Sequence, residues 1–178
     1  MCYVVIDTET PNMANDRMSS IGIVVLENRE IVYRFGTLID PETYFSPFNM
    51  QLTGITPGSV CGMPTFGDLW HILRPILESG VIVAHNAVFD LSVLAKCLKA
   101  YDIEWRASVP YLCTVRLSRS LFPNMQNHKL DTLCGSFGIE LDHHRAESDS
   151  EACAKILLEC VKTGADVNRY IRTFRFAK

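Results

Sequence analysis

A chain of 178 residues with net charge −3, 48% hydrophobic and 21% charged residues, has the balance of a soluble globular protein and excludes a disordered or fibrous one; it reads as one compact domain, 1–178. No apolar run reaches the roughly 20 residues that span a bilayer, and the N-terminus has no basic segment leading into an apolar one, so no membrane and a cytoplasmic location are expected. The seven cysteines, at 2, 61, 97, 113, 134, 153 and 160, form no C-x-x-C pair and read as reduced, mostly buried thiols rather than a disulfide framework or zinc knuckle.

Residues 2–8 form the first expected strand, an apolar run that passes into Asp7-Thr8-Glu9-Thr10. Strand side chains alternate, so Asp7 and Glu9 project from one side. Two such acids repel and lose hydration unless something positive sits between them, and a divalent metal is the usual answer. A wet strand end with two solvated acids is the other reading. Residues 21–26 and 31–38 are β-rich runs around Glu27-Asn28-Arg29-Glu30, which makes the opening an antiparallel meander. Residues 40–67, rich in Pro, Gly, Thr and Ser, read as a long irregular connection of the kind that tends to carry function.

Residues 66–77 carry a helical apolar stripe, with Pro75 a flaw in it. Val81-Ile82-Val83-Ala84 reads as a strand buried on both faces, and it feeds an amphipathic helix over 88–100. A short strand is expected at 111–115, a helix at 130–137 stopped by Gly138, and a last helix over 146–162. A meander followed by β-α-β-α units predicts an α/β mixed sheet flanked by helices, with the working crevice at the carboxyl ends of strands. The basic tail, Arg169, Arg172, Arg175 and Lys178 interleaved with Tyr170, Phe174 and Phe176, reads as a terminal helix with a basic outer face, or else as a single-strand track. Arg116, Arg119 and Lys129 form a second basic stretch.

Three polar clusters fall at element boundaries: Asp7 to Thr10, His85 to Asp90, and His144 to Asp149. Asp90 opens a helix and should lean toward the sheet, although a helix N-terminus alone would also favour an acid there. Asp149 occupies the core-facing line of its helix, so it needs a metal, an arginine or a capping hydrogen bond. His144 should sit on the loop feeding that helix, with His143 pointing the opposite way. His71, His85, His128 and His143 read as surface or satisfied histidines.

The ordered set resembles the DEDDh exonucleases, the superfamily of proofreading 3′-to-5′ exonucleases that includes the DNA polymerase III epsilon subunit and RNase T. The D-x-E motif is matched by Asp7 and Glu9, A-H-N-A-x-F-D by residues 84–90, and H-R-A-x-x-D by residues 144–149. Residues 52–56 and 129–133 match its intermediate signatures. The resemblance implies an RNase H-like fold in which Asp7, Glu9, Asp90 and Asp149 hold two Mg²⁺ or Mn²⁺ ions and His144 is the general base. It further implies hydrolysis of single-stranded DNA or RNA 3′ ends to nucleoside 5′-monophosphates. Thr8, Thr10, Ile55, Asn86 and Phe89 are the expected nucleotide contacts, and any polymerase or repair partner is expected to be a separate chain. Two divalent ions would carry the net charge of −3 past zero, which removes the objection that an acidic protein avoids nucleic acid. Departures from the pattern, Pro11-Asn12, Gln51 before Leu52-Thr53-Gly54, and Ser150, bear more on substrate preference than on catalysis. The competing reading is a non-catalytic nucleic-acid-binding or polymerase-docking module.

Overall fold

The N-terminal apolar run becomes the centre of the sheet. In a computed structural model that describes residues 1–176, strand β1 (Cys2–Glu9) is flanked on one side by β2 (Ser20–Glu27) and β3 (Glu30–Leu38), and on the other by β4 (Val81–Ala84), β5 (Ser108–Cys113) and β6 (Arg172–Arg175). The order is β3-β2-β1-β4-β5-β6. β1, β2 and β3 run antiparallel as the expected meander, β1, β4 and β5 are parallel, and β6 closes the far edge antiparallel. This is the mixed sheet of an RNase H-like α/β fold.

Helices cover both faces. α3 (Phe66–Leu77) and α4 (Val88–Ala100) pack with Val4, Ile6 and Ile82. α6 (Leu130–Phe137) and α7 (Ala146–Lys162) pack with Val5, Val24 and Val83. Alternation along β1 assigns successive residues to the two layers, so one residue of shift would exchange them. α3 runs through Pro75, and Gly138 ends α6 in the left-handed region (φ 66°). No helix among the described residues is long and apolar enough to cross a membrane.

Three expectations are corrected. The irregular connection holds two short helices, α1 (Pro47–Thr53) and α2 (Pro57–Val60). Each begins with a hydroxyl cap followed by proline, Ser46-Pro47 and Thr56-Pro57, which satisfies the first amides without needing an apolar period. The strand expected at 111–115 lies at 108–113, and Thr114 instead starts α5 (Thr114–Leu121). The tail is a 3₁₀ turn (Val167–Tyr170) and then β6 rather than a helix. Phe174 and Phe176 are half-buried and pack against Tyr111 and Trp105 at the edge of the core. Lys178 lies outside the described residues.

Candidate active site

Asp7 and Glu9 close β1 on the face that α7 covers, one register step apart from Val5 and its α7 partners. The approach of α7 depends on a glycine. Asp7 pairs with Gly22 on β2, and Gly22 with Gly36 on β3. A Cβ on Gly22 would lie 2.0 Å from the Ala146 carbonyl oxygen, and one on Gly36 would meet the Glu147 side chain. The row Asp7-Gly22-Gly36 is thus a shallow seat for the first turn of α7. Spacing along the sequence did not single out these glycines, because their role depends on the helix that packs over them.

Asp90 reaches the same place from the other layer. It lies in the first turn of α4 and is buried. Its Oδ1 accepts the Thr8 amide at 3.1 Å and the Thr8 hydroxyl at 3.0 Å, which ties α4 to the end of β1. Asn86 turns the chain between β4 and α4 at φ 77°, a left-handed conformation that asparagine tolerates better than most residues. Beside it, His85 is a satisfied histidine, as expected. Its Nε2 faces the His128 carbonyl at 3.0 Å and must donate, so Nδ1 accepts from the Thr114 hydroxyl at 2.9 Å. Burial lowers its pKa to about 4, which keeps the ring neutral, and the His128 carbonyl selects the tautomer.

Asp149 is buried at 4% exposure in the first turns of α7. Its Oδ2 accepts the His144 backbone amide at 3.1 Å, while Oδ1 is buried without a hydrogen-bond partner. His144 lies on the loop before α7, as expected, with φ 67°. That left-handed residue overturns the expectation for His143. The two imidazoles stack at 4.0 Å and 11°, and His143 Nε2 lies 3.6 Å from Asp149 Oδ2.

One carboxylate oxygen each from Asp7, Glu9 and Asp149 lies within 4.8 Å of the others. No lysine or arginine pairs with these three acids or with Asp90 among the described residues. Burial, then the charges of Asp90, Asp149 and Glu9, hold the Asp7 pKa well above the carboxylate range. Burial followed by Asp149 and Asp90 raises Glu9 to about 8. Burial also raises Asp90, against the lowering effect of the Thr8 hydrogen bonds, and raises Asp149 to about 6. Such a cluster is unfavourable by itself and becomes favourable around a hard cation. The unpartnered Asp149 Oδ1 and the all-oxygen donor set fit a divalent metal of the Mg²⁺ or Mn²⁺ type.

A family model described as exonuclease, of the RNase T type, matches residues 4–157. The chain is 35% identical over 167 residues to the PolC-type DNA polymerase III of Bacillus subtilis, covering 92% of this chain and 12% of that protein. It is 37% identical over 158 residues to the corresponding protein of Clostridium perfringens, covering 87% of this chain and 11% of that one. The chain belongs to the DEDDh 3′-to-5′ exonuclease superfamily. It thus spans about a ninth of the length of these curated relatives. Its fold is similar to that of exonuclease X in complex with 5′-overhanging duplex DNA (TM-score 0.74, 24% identity, 94% of this chain and 96% of that one). It is also similar to a 3′-exonuclease solved in recognition of a histone mRNA stem-loop (TM-score 0.77, 18% identity, 96% and 84%).

The five residues expected for exonuclease chemistry, Asp7, Glu9, Asp90, His144 and Asp149, therefore converge at the carboxyl end of β1. The expected nucleotide contacts divide. Thr8 and Thr10 are buried. Thr8 holds Asp90, and the Thr10 hydroxyl donates to Asn15 Oδ1 at 2.9 Å. Asn12, at a departure from the family pattern, is also structural: it donates to the Tyr44 carbonyl and accepts the Ala14 amide, each at 2.9 Å. Ile55, by contrast, lines a cavity of about 310 Å³ with His144, Arg145 and Ser59. Asn86 and Phe89 are exposed beside Asp90, Phe89 at 38%.

Proposed function

We propose that the chain removes nucleotides one at a time from single-stranded 3′ ends of DNA or RNA, releasing nucleoside 5′-monophosphates. The observation that carries this reading is the convergence of Asp7, Glu9 and Asp149 oxygens within 4.8 Å, with Asp90 close enough to raise the pKa of both Asp7 and Glu9. In this reading Asp7, Glu9, Asp90 and Asp149 hold two Mg²⁺ or Mn²⁺ ions. When bound, such ions neutralise charge at the scissile phosphate and acidify the attacking water.

The chain's own groups supply the rest. Burial lowers the pKa of His144, so an imidazole nitrogen is free near neutral pH to take the proton of the water. The Asp149 carboxylate orients the loop that carries this base by accepting the His144 amide. Thr8 positions Asp90 rather than touching substrate. Ile55 and Phe89 present apolar surface to the terminal sugar and base, with the Asn86 amide at the same rim. Exposed Arg116, Arg119 and Lys129 offer contacts to upstream phosphates. Proofreading for a polymerase is the setting we propose, given relatives that carry this segment as a small part of a polymerase.

A 5′-labelled oligonucleotide with Mg²⁺ tests the reading. It should shorten as a ladder from the 3′ end, and matched DNA and RNA strands should rank the polymer. His144→Ala should lose about 10²–10⁴-fold in turnover while calorimetry still detects Mg²⁺ or Mn²⁺. Tight oligonucleotide binding without turnover under any divalent metal would instead support a non-catalytic binding module.

A further inference from the structure

The catalytic reading makes no use of His143, yet the fold places its ring with care. Neighbouring residues in an extended chain point to opposite sides. Here His144, at φ 67°, undoes that alternation and stacks the two imidazoles 4.0 Å apart on one side of the loop. Both rings face the start of α7. One donor atom each from His143, His144 and Asp149 lies within 4.8 Å of the other two. His143 is 38% exposed at its side chain and its Nε2 is 3.6 Å from Asp149 Oδ2, so ions can reach it from solvent. Asp149 also keeps a buried Oδ1 with no hydrogen-bond partner, the atom that already faces the oxygen cage.

We propose that His143, His144 and Asp149 form a second metal site, selective for zinc and similar nitrogen-seeking transition ions, and that filling it shuts down the active site. Regulation of this kind rests on the exonuclease reading of His144 and Asp149 given above. Two imidazoles and one carboxylate with an open position are a zinc donor set. Mg²⁺ prefers oxygen and keeps its waters, so it gains little from the two nitrogens. The two kinds of ion therefore select different ligands from one small region. Asp149 is common to both sets. Zinc on the histidine pair takes a carboxylate from the oxygen cage and ties up the nitrogen that would accept the proton of the water.

The test compares metal-free protein with His143→Ala, both in a Cys61→Ser background because Cys61 is an exposed thiol. Calorimetry with ZnCl₂ should find one site per chain. Removing a direct ligand should weaken it by at least the roughly 10–100-fold that follows loss of an outer-shell partner. Under saturating Mg²⁺, zinc should inhibit the parent, whereas His143→Ala should keep its zinc-free rate and need at least about tenfold more zinc for the same inhibition. Equal zinc affinity and equal inhibition in the two proteins would overturn the proposal. So would a His143→Ala protein that has lost its Mg²⁺-dependent rate, because His143 would then be part of the machinery. If neither protein degrades nucleic acid under any metal, the exonuclease reading fails, while the calorimetric difference still decides whether the zinc site exists.

Discussion

Asp149 and Glu151 stand two residues apart on α7, and about 100° of rotation per residue turns them to opposite environments. Glu151 faces outward between Arg34, at 2.9 Å, and Lys155, also at 2.9 Å, and these two hydrogen-bonded cations lower its pKa. Asp149 faces inward toward Asp7 and Glu9, where burial raises its pKa to about 6 and one oxygen has no partner. One helix thus carries a satisfied acid and an unsatisfied one. The difference separates acids that the folded chain completes by itself from acids that wait for a cation.

The largest contrast should come from neutralising each in turn. Asp149→Asn keeps the shape and the acceptor for the His144 amide, and it should abolish measurable oligonucleotide shortening under Mg²⁺, whereas Glu151→Gln should retain the parent rate. Without metal the ranking reverses. Asp149→Asn should raise Tm at pH 8, because it removes one charge from a repelling group, by roughly 2–4 °C for each kcal/mol relieved in a chain of this size. A parent-like rate in Asp149→Asn, or a lower Tm in its metal-free form, would break the comparison.

A smaller loss should follow from lifting α7 off its seat. Gly22→Ala forces a Cβ against the Ala146 carbonyl, 2.0 Å away, so the first turn of α7 must shift, taking Asp149 and the His144 loop with it. Displacement on the scale of an ångström costs about 10²-fold in rate. Metal affinity and rate should fall together while far-ultraviolet circular dichroism is kept. An unchanged rate would mean that α7 is placed from its far end and not at Gly22.

The contrast also explains what was readable beforehand. The acids and His144 stand at strand and helix boundaries, where alternation and the helical period say which way a side chain leans, and their order along the chain matches a family pattern. The meander, β4 and the helices α3, α4, α6 and α7 follow from period alone. What escaped depends on contacts that no period encodes. The short helices α1 and α2 rest on caps at Ser46 and Thr56. Thr8 is tied to Asp90 and Thr10 to Asn15 and Asn49 by hydrogen bonds that no period announces. His143 was sent the wrong way because the left-handed backbone of His144 is a tertiary outcome. Gly22 and Gly36 looked like ordinary strand residues until a helix was found resting on them.

The raised acids give the metal-free protein a pH dependence of definite sign. In the folded state Glu9 holds its proton to about pH 8 against an ordinary value of 4.5, and Asp7 is raised well above 3.8. Between those limits the folded chain binds protons that the unfolded chain has released, so stability falls as pH rises. His85, lowered from 6.5 to about 4, works in the opposite sense below its unfolded value. The clean window therefore opens above the unfolded value of 6.5 and runs toward pH 8, where His85 is neutral in the folded chain and loses its remaining charge in the unfolded one. Denaturant titrations with chelator should give a midpoint that falls across this window, and saturating Mg²⁺ should flatten the fall by displacing the protons. A midpoint that rises in the metal-free protein would mean that the acids are not raised.

The smallest effect belongs to the satisfied acid. Glu151→Gln removes the charge that Arg34 and Lys155 share, but Arg34 is 56% exposed and Lys155 40% exposed, so water and salt screen both pairs. Exposed pairs of this kind contribute about 0–1 kcal/mol, and the expected drop in Tm is no more than roughly 2–4 °C, shrinking further at high ionic strength. It should not depend on Mg²⁺, because Glu151 points away from the oxygen cage. A Mg²⁺-dependent loss in Glu151→Gln would show that the two faces of α7 communicate and that the division drawn between them is too sharp.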